Sequence, residues 1–257
     1  ASDVYKRQEY MHFCSRLLRP EPKEKGKAPA MIVFCAFDQI HTVAEYGARY
    51  GFKNWYPLFF CKNYSAQVLK ANMRIVGATE FAVVLYRDKL PKFNNGRQIG
   101  EDGKPIRGTG KMVFDWFQWE RDGKDIPKIH PTQKPVKVLR RLIEIFTDPG
   151  ELVIDPCCGS GGMFVQSVKF LQAHSGRKDG IAVYGQESNA DTWKMAKINM
   201  AIRGIEADFG PHQADTFFND LHPSLKADFI MANPPFNLSN WGQSQLRDDV
   251  RWKYGIP

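Results

Sequence analysis

The run Asp155-Pro156-Cys157-Cys158-Gly159-Ser160-Gly161-Gly162 constrains the fold of this 257-residue chain more than any other. It follows a short apolar strand at residues 152–154, and its glycines permit a tight turn through which backbone can approach a ligand. A helix is expected to begin near Met163. Strand, turn and helix in this order make a nucleotide cradle at the carboxyl edge of a parallel sheet. Taken alone, a glycine-rich turn also punctuates ordinary loops, so a second motif must supply the specificity.

That motif is Asn233-Pro234-Pro235-Phe236, which begins 71 residues after Gly162. It comes directly after the apolar run 229–232, so the chain leaves a buried strand and is at once stiffened by two prolines of fixed φ. Asn233 offers a side-chain carbonyl, and the prolines leave backbone carbonyls without a competing local donor. An exocyclic amine could therefore donate both its hydrogens here. Phe236 supplies a flat face for stacking. Out of context the same residues are an ordinary strand end with a Pro-Pro turn.

Residues 151–257 resemble the modification subunit of type I restriction-modification systems, an adenine-N6 DNA methyltransferase that uses S-adenosylmethionine. Gly161-Gly162-Met163-Phe164-Val165-Gln166-Ser167, Tyr184-Gly185-Gln186-Glu187-Ser188-Asn189, Ala214-Asp215-Thr216-Phe217 and the stretch 232–237 carry the likeness. It implies that Asp155 and the backbone around Cys157, Gly159 and Gly161 hold the methionine part of the cofactor. Glu187, after the apolar run 181–184, would accept the ribose hydroxyls, and Asp215 the adenine amino group. Asn233 and Pro234 would bind the target amine, Pro235 would stiffen the turn and Phe236 would stack on the base.

Residues 9–158 resemble the C-terminal part of phage-type DNA amino-methyltransferases of the N4/N6 family. The hallmark is His130-Pro131-Thr132-Gln133-Lys134-Pro135, leading through a helix at 136–146 into the glycine turn. Its implied role is to close the methionine end of the cofactor pocket, with Thr132 and Lys134 as contacts and His130 in packing or capping. The two resemblances meet within Asp155 to Gly162. Residues 1–8 resemble translated adapter sequence and are set aside from fold reasoning; the chain reads as a chimeric metagenomic fragment, against the alternative of one natural permuted gene.

Together the two parts predict a Rossmann-like, S-adenosylmethionine-dependent methyltransferase fold, α/β and doubly wound, with a mostly parallel sheet in circularly permuted order. Strands at 31–37, 56–61 and 80–86, with a helix at 41–50, are those that normally follow the catalytic motif. Residues 151–232 supply the cofactor strands and the catalytic strand. Residues 9–150 and 151–257 are thus expected to merge into one domain.

Charge is uneven. Residues 1–150 carry a net +10 and residues 151–257 a net −2, which suits a phosphate-rich partner for the first part. The segment 91–128 mixes glycines and basic residues with Phe114, Trp116, Phe117 and Trp119. It reads either as a DNA-contacting loop or as an edge hairpin with a packed aromatic face. The five cysteines show no metal spacing; Cys35 and Cys61, in apolar runs, are expected to be buried. No apolar run has membrane-span length, so a cytoplasmic protein is expected.

The implied reaction is methyl transfer to adenine N6 of double-stranded DNA, with a separate specificity subunit and restriction subunit as partners and no membrane. A protein-glutamine methyltransferase, or a fragment that binds cofactor or DNA without turnover, remains open at this point.

Overall fold

Four consecutive apolar residues, Phe229 to Ala232, are buried throughout, as expected of a strand covered on both faces in a parallel sheet. They form the centre of the fold. The computed structural model describes residues 2–65, 70–123, 134–148, 151–155, 157–159, 161, 162, 164 and 183–232, with backbone only for 2–9. In chain order the elements are α1 (Ser2–Leu17), β1 (Ala30–Cys35), α2 (Ile40–Arg49), β2 (Asn54–Lys62), β3 (Thr79–Tyr86), β4 (Trp116–Trp119), α3 (Val136–Phe146), β5 (Val153–Asp155), β6 (Val183–Gly185), α4 (Ala190–Ile202), β7 (Ala207–Asp208) and β8 (Phe229–Ala232).

All eight strands belong to one sheet, in the order β4-β2-β3-β1-β8-β5-β6-β7. Among the described strands only β3 runs antiparallel to its neighbours. The last strand in sequence, β8, stands between the first, β1, and β5, pairing Val33 with Ala232 on one side and Ile154 with Ile230 on the other. This is the expected permuted order. The strands of residues 30–119 fill one half of the sheet and those of 153–232 the other.

Helices cover both faces. Met31, Val33, Val83, Ile154 and Ile230 pack with α1 and α2, whereas Ala30, Ile32, Val153 and Phe229 pack with α3. Phe146 of α3 stacks on Phe229 at 5.6 Å between ring centroids. Leu139 and Leu142, 1% and 0% exposed, belong to the same cluster. Each core layer therefore takes side chains from both halves of the chain.

Asp228 ties the halves together just before β8. One carboxylate oxygen pairs with Arg19 at 2.6 Å, and the other accepts from the Leu152 amide at 2.8 Å. Arg87 donates to the carbonyls of Ser15 and Arg19 at 2.8 and 2.7 Å, and Lys226 donates to that of Arg16, so the open C-terminal end of α1 is satisfied. The helix also includes residues 2–8, which the sequence reading set aside.

Three expectations need correction. The first strand stops at Cys35, and Phe37–Gln39 form a single 3-10 turn. Cys61 is exposed, not buried, because Leu58 and Phe60 take the covered face of β2 and the two-residue alternation turns Cys61 outward. Within the segment 91–128 the aromatic run does not form an edge hairpin: Trp116–Trp119 adds an edge strand parallel to β2. Phe117 stacks on Phe60 at 5.5 Å, while Phe114 and Trp116 remain exposed against each other.

Because the layers draw on both halves, thermal or urea unfolding should give one cooperative transition. Phe229→Ala should lower its stability by about 3–5 kcal/mol without splitting it. Two transitions, only one of them sensitive to Phe229→Ala, would show that the halves fold separately.

Candidate functional site

The parallel register brings three carboxylates to one edge of the sheet. Asp155 ends β5 beside Gly185, the last residue of β6, and Glu187 follows two residues later. Ala214, next to Asp215, donates its amide to the Glu187 carbonyl at 3.0 Å, so the loop bearing Asp215 is pinned to the strand end bearing Glu187.

Asp155 is 3% exposed and accepts from the Cys157 amide at 3.0 Å. No lysine or arginine pairs with it among the described residues. Burial raises its carboxyl from the ordinary 3.8 to about 7, against the Cys157 hydrogen bonds that lower it, and the nearby Glu187 charge raises it further. A buried acid poised near neutrality is suited to a cationic ligand, whose charge would favour the carboxylate form.

The turn after Asp155 depends on glycine. Gly159 and Gly161 have φ of +55° and +77°. At Gly161 a side chain would be strained and would also meet the Met200 methyl of α4 at 3.1 Å. Gly185 is required by packing, since an added carbon would lie 2.8 Å from Phe164 and 3.0 Å from Phe209. Burial pushes the thiols of Cys157 and Cys158 well above their ordinary value, so neither is prepared as a nucleophile.

Glu187 is half-buried, and one of its oxygens accepts from the Asn189 amide at 2.9 Å. Asn189 caps α4 by accepting from Asp191 and Thr192, both at 3.0 Å. Asp215 accepts from the Phe217 amide at 2.9 Å. Sequence reasoning passed over Gln186, the buried residue that organises this edge. Its amide nitrogen donates to the carbonyls of Ala214 and Asn219, and its oxygen accepts from Leu221, at 3.3, 2.6 and 3.0 Å. A buried glutamine with both ends satisfied fixes a loop to a strand. Its presence inside the quoted stretch Tyr184 to Asn189 was the available signal.

Of the expected site residues, Asp155, Cys157, Gly159, Gly161, Glu187 and Asp215 gather at this edge. Lys134 does not join them through any described contact; it pairs with Glu80 of β3 at 3.1 Å. Thr132, Asn233, Pro234, Pro235 and Phe236 lie outside the described residues, as does His130. Among the described residues no cluster of His, Cys, Asp and Glu is set to hold a metal ion, and no helix is long and apolar enough to cross a membrane.

A raised carboxyl contributes stability that is complete below the ordinary value near 4 and is lost as pH rises through about 7. Without added ligand, Asp155→Asn should therefore unfold at increasingly higher temperature than the parent as pH rises from 4 to 8, the gap widening by at most about 1.4 kcal/mol per pH unit. Parallel pH profiles would refute the assigned burial. Gln186→Leu should cost about 3 kcal/mol in urea unfolding by orphaning three backbone groups; a loss under 1 kcal/mol would contradict the clamp.

A family model described as DNA methylase matches residues 4–190, and one described as N-6 DNA Methylase matches residues 130–257. Both cross the glycine turn, where the sequence reading placed a join. The methylase subunit of the type I restriction enzyme HindI from Haemophilus influenzae is 47% identical over 163 residues, which cover 63% of this chain and 36% of that protein. The methylase subunit of the type I restriction enzyme MjaIX from Methanocaldococcus jannaschii is 31% identical over 122 residues, 47% of this chain and 22% of that one. The chain thus spans about a third or less of these relatives. Among solved structures, the M1.HpyAVI–SAM complex matches with a TM-score of 0.55 at 21% identity, covering 78% of this chain and 84% of that one, a likeness of fold. With one family model extending over residues 4–190, well beyond half of its length, the chain belongs to the DNA methylase family.

Proposed function

We propose that this chain carries the cofactor-binding and catalytic parts of a DNA amino-methyltransferase that methylates adenine N6, residues 9–150 and 151–257 acting as one merged unit. The observation that carries this reading is the buried, uncompensated Asp155 at a glycine turn, with Glu187 and Asp215 at the neighbouring strand ends. That donor set fits S-adenosylmethionine, which is cationic at its methionine end and offers hydroxyls and an amine at its nucleoside end. When bound it supplies the methyl group.

The residues divide the remaining work. Asp155 and the backbone of Cys157, Gly159 and Gly161 hold the methionine part. Glu187 accepts from the ribose and Asp215 from the adenine of the cofactor. Asn233 and the Pro234 carbonyl hold the two hydrogens of the target amine, which keeps its nitrogen lone pair directed at the methyl group. Pro235 stiffens that turn, and Phe236 stacks on the base once it is turned out of the duplex. No covalent intermediate on the protein is required, in keeping with the raised Cys157 and Cys158 thiols.

The relatives are named as methylase subunits of type I restriction enzymes, which supports a DNA methylase that works with other subunits of a restriction system. Adenine rather than cytosine, double-stranded DNA, separate specificity and restriction subunits and a cytoplasmic location are part of the same proposal.

Asn233→Ala should reduce transfer of labelled methyl to unmethylated DNA by at least about a hundredfold, judged by the effect of removing one preorganised polar contact in other enzymes. Cofactor affinity measured by calorimetry should be unchanged. Full activity in that variant would overturn the assignment, and labelled N4-methylcytosine among the products would overturn the adenine reading.

A further inference from the structure

A second cluster of charged side chains lies at the same edge of the sheet, on the half away from Asp155. Glu80, at the start of β3, is gripped by two ammonium groups. Lys62 at the end of β2 reaches one of its oxygens at 2.5 Å, and Lys134 before α3 reaches the other at 3.1 Å. The two lysine side chains are only 15% and 11% exposed. Burial would raise the Glu80 carboxyl, but the two lysines outweigh it and hold it below the usual carboxylate range.

The walls are aromatic. Lys62 lies over the rings of Tyr64 and Trp119 at 5.7 and 5.2 Å, and Lys134 over those of Phe34 and Trp119 at 5.1 and 5.4 Å. Arg121 adds a third cation, 3.8 Å from the Tyr64 ring centre. Trp119 donates its indole hydrogen to the Tyr64 hydroxyl at 3.2 Å, which fixes both rings. The two acids flanking Arg121 in sequence are committed, Glu120 to Lys137 and Asp122 to the Val136 amide. Among the described residues, two ammonium groups therefore share one carboxylate, and Arg121 lies against the Tyr64 ring that Lys62 also approaches. Each ammonium has three hydrogens, and a single described hydrogen bond, to Glu80, accounts for one of them.

The register also sets its location. Phe34 comes one residue after Val33, the partner of Ala232, to which Asn233 is joined. The cluster thus borders the end of β8 on the side opposite the three carboxylates.

We propose that Lys62, Lys134 and Arg121 form an anion subsite for a phosphodiester group of the nucleic acid substrate, with Glu80 holding the two ammonium groups in place. This inference rests on the reading of the chain as a DNA methyltransferase. It reassigns Lys134 from the cofactor to the substrate. An anionic oxygen could also come from the carboxylate of the methyl donor, so the test separates the two sources.

The full chain would be titrated against a fluorescently labelled unmethylated duplex at several salt concentrations, and separately against S-adenosylmethionine by calorimetry. Lys62→Gln and Lys134→Gln should each weaken duplex binding several-fold and lower the slope of log affinity against log salt by about one, while cofactor affinity stays unchanged. Lys62→Arg and Lys134→Arg should keep the parental slope. Glu80→Gln should tighten duplex binding, a result that a purely structural ion pair would not give. Unchanged slopes in folded lysine variants, cofactor affinity lost in Lys134→Gln with the slope intact, or Glu80→Gln weakening duplex binding would each overturn the proposal. Because the salt slope is read without turnover, its failure is distinct from failure of the methyl-transfer reading, which Asn233→Ala tests.

Discussion

Everything in this molecule depends on β8 fitting between β1 and β5. A four-residue strand of Phe, Ile, Met and Ala has no polar face, so it is stable only with sheet on both sides and helices above and below. That requirement draws residues 30–35 and 153–155 into one sheet although more than a hundred positions separate them in sequence. It also decides where the chain turns out of the sheet: the end of β8 lies between a half bearing carboxylates and a half bearing ammonium groups. Two groups of charges of opposite sign are thereby placed on either side of the end of β8.

The carboxylate side carries a cost. An ionised group buried among apolar atoms is disfavoured unless something compensates it, and Asp155 has one backbone amide and no described cation. The sheet tolerates this because neighbouring strands are held by other means, notably the Asp228 link between Arg19 and the start of β5. Stability at that point in the fold is given up where, on the proposed reading, a cationic ligand would compensate the carboxylate.

Much of this was legible in the sequence because it is written in short-range signals. Apolar runs placed β1, β2, β3, β5, β6 and β8 to within a few residues, and residues 136–146 form α3 at the expected bounds. The glycine turn is a local pattern of the same kind, whereas Glu187 and Asp215 were singled out through the family resemblance, and the structure sets both at the strand-end edge beside Asp155. What was missed depends on distant partners. Gln186 reads as a solvated loop residue until its contacts 28 to 35 positions away are known. The pairing of Lys134, which its motif assigned to the cofactor, with Glu80, 54 residues upstream, is likewise not legible locally. Cys61 looked buried by composition, although the two-residue alternation of β2 turns it outward.

The Gln186 clamp has a consequence for selectivity. One side chain, bonded to three backbone groups of a single loop, works as a rigid caliper between Glu187 and Asp215. The spacing of those two acids is set by these hydrogen bonds; on the proposed reading a nucleoside of matching length would enter without loop ordering, and its binding free energy would not be diminished by that entropy. A nucleoside with a differently placed amine would find a gauge that does not adjust, and would be rejected by a residue that never touches it.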